Sequence, residues 1–84
     1  NAADVLDAAI ETVEGLTEFM TAALEESLRA RIVDEMGVKP RLAFGPLRVA
    51  VTGRQVSPPL FESMEILGRD SSLTRLRALR ASLA

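Results

Sequence analysis

Gly45-Pro46-Leu47-Arg48-Val49-Ala50-Val51-Thr52-Gly53 is the stretch on which the fold class turns. Leu47, Val49 and Val51 alternate with Arg48, Ala50 and Thr52, which by period and β-branching describes a short strand. The punctuation says otherwise, because Pro46 suits the first position of a helix and Gly53 the residue just past a helix end. A strand also needs a partner, and no second segment of the 84 residues alternates comparably; a lone strand would leave its backbone N–H and C=O groups unpaired. The stretch therefore reads as a two-turn helix, Pro46 to Thr52, with Leu47, Ala50 and Val51 packing inward and Arg48 and Thr52 sharing the outer face.

Immediately downstream, Ser57-Pro58-Pro59-Leu60-Phe61-Glu62 opens a second helix. Ser57 has the chemistry of an N-cap, Pro58 is tolerated at the first helical position, and Gly68 suits the residue after the end, so the spacing predicts a helix from Pro58 to Leu67. Leu60, Met64 and Leu67 form its apolar stripe, with Glu62 and Ser63 pointing away. Two consecutive prolines remove two of the donors that a helix start offers to an anion, so this terminus is a poor phosphate cradle. It is instead a stiff corner with a hydroxyl, free carbonyls, two flat rings and the Leu60 side chain. Preceded by Arg48, such a corner suits the splayed bases of a single-stranded loop, at little ordering cost.

The rest of the chain repeats the helical period. Leu6, Ala9, Ile10 and Val13 make an amphipathic helix from Ala3 to Glu14, with Asp4, Asp7, Glu11 and Glu14 on its solvent face and Gly15 ending it. Leu24, Leu28, Ile32 and Met36 mark a second from Thr21 to Met36, followed by Gly37 and stopped by Pro40. Phe19, just upstream, reads as a staple on that helix, with base stacking as the alternative. Asp70 is placed to cap a last helix from Ser71 to about Ser82, with Leu73, Leu76, Leu79 or Arg80, and Leu83 marking its buried stripe and Arg75, Arg77 and Arg80 projecting outward. The expected architecture is all-α: about five helices, three of them short, in one domain spanning residues 1–84.

Composition excludes whole classes of chemistry. There is no cysteine and no histidine, so thiolate nucleophiles, zinc sites and histidine-based triads are ruled out. A chain this short buries a marginal core and leaves no room for a large catalytic cleft. No apolar run reaches the length of a membrane span and no signal peptide opens the chain, so a cytoplasmic location is expected. The net charge of −2 hides an asymmetry: residues 1–36 carry nine acids and two arginines, whereas residues 37–84 carry eight basic residues and three acids. A basic half beside an acidic half is compatible with a polyanion partner on one face.

Taken together, Pro46-Leu47-Arg48-Val49-Ala50-Val51-Thr52-Gly53, Ser57-Pro58-Pro59-Leu60-Phe61-Glu62 and Glu65-Ile66-Leu67-Gly68-Arg69 strongly resemble the C-terminal end of bacterial glutamyl-tRNA synthetases. Lys39-Pro40 and the Leu73-Thr74-Arg75-Leu76 helix extend the resemblance, which runs from about Leu24 onward and is close to the actinobacterial type. It implies the anticodon-binding helical domain of a class I synthetase, a fragment cut from a longer protein, as a chain starting at Asn1 also suggests. By the same resemblance Arg48 contacts the first anticodon base, and Ser57, Pro58 and Leu60 surround the first and middle bases. The implied partners are the anticodon loop of glutamate tRNA and the catalytic and preceding helical domains of the same polypeptide, in a monomer with no DNA or membrane partner.

Catalysis would belong to the parent, with ATP and Mg²⁺. The family's histidine motif and lysine-rich loop have no counterpart in a chain with no histidine and one lysine, so no catalytic residue, metal or cofactor is expected here. A helix-turn-helix DNA-binding or protein-interaction module is the alternative. A recognition helix would present several Arg, Asn or Gln side chains to base edges, and the helix from Pro58 to Leu67 has none.

Overall fold

A computed structural model describes residues 2–53 and 59–83 and shows helices α1 (Ala2–Gly15), α2 (Thr21–Leu28), α3 (Pro40–Thr52), α4 (Leu60–Leu67) and α5 (Arg69–Ser82). The all-α expectation holds among the described residues. α2 does not continue as an α-helix to Met36: Arg29–Glu35 is a π-helical segment carrying the buried Ile32. The chain leaves it through Gly37, at φ 71°, and the Val38 N–H donates to the Ile32 carbonyl across six residues at 3.2 Å. That return bond is one residue wider than the closing bond of an ordinary helix end, in keeping with the wider π turn.

The largest departure from the sequence reading lies in α3. The helix does not start at Pro46 but at Pro40, and it runs through Gly45-Pro46 to Thr52. Pro40 therefore starts a helix as well as stopping the previous one. A proline inside a helix removes one backbone bond and crowds the carbonyl four residues back, and an interior glycine costs about 0.5–1 kcal/mol relative to alanine. Burial overrides both. Ala43, Phe44, Leu47 and Val51 form one fully inward stripe that spans the Gly-Pro step, and burying Phe44, Leu47 and Val51 contributes about 1.5–3 kcal/mol each. Gly53, at φ 75°, ends the helix by donating its N–H to the Val49 carbonyl at 3.0 Å.

α4 begins at Leu60 with Pro59 as its N-cap, so it starts later than expected; Ser57 and Pro58 lie outside the described residues. Only Gly68 separates α4 from α5. Its φ of 88° and ψ of 167° belong to a region open essentially to glycine alone. α5 accordingly starts at Arg69, and Asp70 sits in its first turn rather than capping it. Ser72, the buried polar residue of this joint, donates its hydroxyl to the Met64 carbonyl at 3.3 Å. α2 and α4, of eight residues each, are the short helices, whereas α3 is nearly twice the length read from Pro46.

The helices enclose one core, with extents of 26 × 25 × 23 Å. α1 contributes Val5, Leu6, Ala8, Ala9 and Val13, packed chiefly against α5 and α3. Leu24, Leu28, Ile32, Leu47, Met64 and Leu76 fill the centre, and Phe44 and Phe61 meet edge to face at 5.4 Å. Leu83, expected in the buried stripe of α5, is 44% exposed. The α2 start has no side-chain cap of its own. Glu65 of α4 supplies one, its carboxylate accepting from the Thr21 N–H at 2.5 Å and the Thr21 hydroxyl at 2.7 Å. These bonds hold the Glu65 carboxyl below its usual pKa, because they favour the charged form.

Candidate nucleic-acid interface

The basic half is divided between two jobs. Arg75, Arg77 and Arg80 of α5 project outward, as expected, but each is engaged within the chain. Arg77 pairs with Glu14 and Arg80 with Asp7, its Nε donating at 2.8 Å, which ties α5 to the acidic face of α1. Arg75 donates from Nη1 to the Val51 carbonyl at 2.8 Å, near the C-terminal end of α3. Arg69 donates to the Leu16 carbonyl and lies over the Phe19 ring at 5.8 Å. Arg29 pairs with Glu25 at 3.4 Å and lies over Phe44 at 5.2 Å.

Of the described cations in residues 37–84, Lys39, Arg41 and Arg48 remain. None has a carboxylate or carbonyl partner among the described residues. All three line one groove of about 920 Å³ along α3. Arg41, Leu42, Gly45, Arg48 and Val49 fall at successive helical steps on one face, so extending the helix back to Pro40 gathers them into a single stripe. Val5 and Leu79 close the far side, and no acidic side chain lines the groove. In a chain of net charge −2, that concentrates positive potential on one wall.

The four residues singled out from the sequence fare differently. Arg48 is half-buried on the outer face of α3, one turn before its end, and lines the groove. Thr52 shares that side but turns its hydroxyl back, donating to the Arg48 carbonyl at 2.7 Å. Leu60 is only 1% exposed and belongs to the core, so its side chain offers no open surface here. Ser57 and Pro58 lie outside the described residues. Lys39, Arg41 and Leu42 were not marked as candidates by sequence, since a helix starting at Pro46 leaves them in a connecting segment.

No aromatic platform is open. Phe44 and Phe61 pack on each other, and Phe19 is half-buried against the core beneath Arg69, which favours its structural reading over base stacking. A ligand placed on this surface would meet hydrogen-bond donors, charge and aliphatic walls. α4 is not a major-groove reader, because it shows solvent only Glu62, Glu65 and Ile66, two acids and an aliphatic. No helix among the described residues is long and apolar enough to cross a membrane.

A family model described as an anticodon binding domain matches residues 1–80. Among curated relatives, the chain is 68% identical over 98% of its length to the glutamate–tRNA ligase of Kineococcus radiotolerans. It is 61% identical over its whole length to that of Kocuria rhizophila, and 56% identical over 95% to that of Cutibacterium acnes. In each case it spans only 16–17% of the relative.

Proposed function

Because this chain belongs to the anticodon binding domain family, we propose that it is the module with which a glutamate–tRNA ligase holds the anticodon loop of its tRNA. One observation carries the reading. Arg48, the residue expected to meet the first anticodon base, stands without an internal partner at the edge of an acid-free, basic groove, while the α5 arginines are consumed inside the fold. An unpaired guanidinium held on a helix can make bidentate, directed bonds to a base edge.

In this reading Arg48 supplies the charge-assisted bond, and Ser57 and Pro58 face the first two bases. Leu60 acts from beneath, its buried side chain fixing the start of α4 against the core. Amino-acid activation with ATP and Mg²⁺ belongs to the other parts of a longer cytoplasmic, monomeric ligase, of which this chain is the C-terminal domain. Its role is binding without catalysis.

The test is a titration of transcribed glutamate tRNA against the chain, with the native and with an altered anticodon. Tighter binding of the native anticodon supports the proposal, and equal binding overturns it. Within the ligase, Arg48→Ala should lower kcat/KM for tRNA by about ten- to a hundredfold, since charge-assisted hydrogen bonds contribute about 1.5–3 kcal/mol. The affinities for glutamate and ATP should be unaltered.

A further inference from the structure

Two residues on the floor of the α3 groove are poor choices for the helix they occupy. Gly45 sits in a helix interior, yet a Cβ added there would meet nothing within 4 Å, so the packing of this chain does not call for glycine. Pro46, its neighbour, has no N–H, and the Leu42 carbonyl one turn back consequently lacks its usual donor. Above them stands Leu42, 62% exposed, with Val49 further along the same face. Departures from local preference that internal packing does not explain mark functional positions.

Resting on the RNA-binding reading above, we propose that this groove seats a further unpaired nucleotide of the bound RNA, next to the one met by Arg48 and apart from the middle base assigned to Ser57 and Pro58. Gly45 provides the open floor that lets the base approach the helix backbone. The Leu42 carbonyl accepts from an exocyclic amine or ring N–H of the base, and Leu42 and Val49 cover its face. Lys39 and Arg41, at the α3 N-terminal end of the groove, hold the adjoining phosphate. Seven residues of helix separate Arg41 from Arg48 by about 10 Å along the axis, which accommodates one base between the two guanidinium groups. Charge selects the occupant: three cations without internal partners and a lining without a single acid match a polyanion.

The experiment measures binding of an anticodon stem-loop RNA by fluorescence anisotropy for the wild-type chain, Gly45→Leu and Arg41→Ala. Gly45→Leu fills the groove with a better helix former, so a thermal melt should show the fold retained. Its affinity should fall about tenfold, the scale of one lost base contact. Arg41→Ala should lower the dependence of affinity on salt by about one phosphate's share. A photocrosslinking residue at Leu42 should attach to the RNA. If the wild type distinguishes the native from an altered anticodon while a folded Gly45→Leu binds as tightly as the wild type, this inference fails and the anticodon reading stands. If the wild type does not distinguish the two anticodons, the anticodon reading itself has failed.

Discussion

The guanidinium of Arg75 in α5 is bonded to the Val51 carbonyl of α3 at 2.8 Å, so the helix that carries Arg48 is held near its C-terminal end by a residue 24 positions downstream. The final carbonyls of a helix have no intrahelical donors, and a cation there also meets the negative end of the helix dipole. Arg75 thus anchors the turn on which Arg48 sits. Arg75→Ala should lower stability by about 1–2 kcal/mol, as expected for a charge-assisted bond near the surface. Arg75→Lys should recover part of it. Chemical denaturation of the three proteins measures the series.

Gly68 is the whole connection between α4 and α5, and its backbone is in a region that side chains disfavour. Gly68→Ala should cost about 1–3 kcal/mol through backbone strain alone. Nothing lies within 4 Å of an added Cβ, so larger side chains should cost little more than alanine. A denaturation series of Ala, Ser and Leu at this position would show a plateau.

Leu60 is buried among core residues, and Leu60→Ala should destabilise the domain by about 2–5 kcal/mol. Charging of native and anticodon-altered tRNA by the same variant, at a temperature where it remains folded, separates support from contact. With the side chain acting from beneath, discrimination between anticodons should change less than stability does.

Glu65 gives stability a specific acid limb. Its carboxyl is held below the ordinary value of 4.5 in the folded chain by the Thr21 hydroxyl and N–H, so its contribution is complete above that value. It is lost as pH falls through the lowered folded value, because the unfolded carboxylate takes up its proton first. Glu65→Gln should therefore melt below the wild type at pH 7, and the gap should narrow at pH 3. Thermal melts of both proteins at the two pH values provide the measurement.

Much of this was legible in the sequence, for reasons that differ by element. α1, α2 and α5 carry apolar periods long enough to announce themselves. Gly53 and Gly37 fulfil their punctuation, both with positive φ. Gly45-Pro46 misled because local preference and tertiary packing disagree there: Ala43 and Phe44, upstream of the proline, share a stripe with Leu47 and Val51 only if the helix is continuous. The groove was invisible for the same reason, since Arg41 and Arg48 fall on one face only along an unbroken α3. Long-range polar pairs leave no local trace. Glu65 capping α2 across 44 residues and Arg75 closing α3 follow from how the helices pack, which no spacing encodes. The outward arginines of α5 were placed correctly, but the acids that occupy them lie 63 and 73 residues away.

That pairing of α1 with α5 bears on how the chain is made. A ribosome releases α1 first and α5 last of these helices, so Val5, Leu6 and Val13 cannot be fully covered until some sixty further residues have emerged. During that wait the helix has its carboxylates, Asp7, Glu11 and Glu14 among them, to keep it in water. Two of them, Asp7 and Glu14, are then claimed by Arg80 and Arg77. The same acids serve twice, first as a solubilising coat for an unfinished nascent chain and then as the latch that closes it.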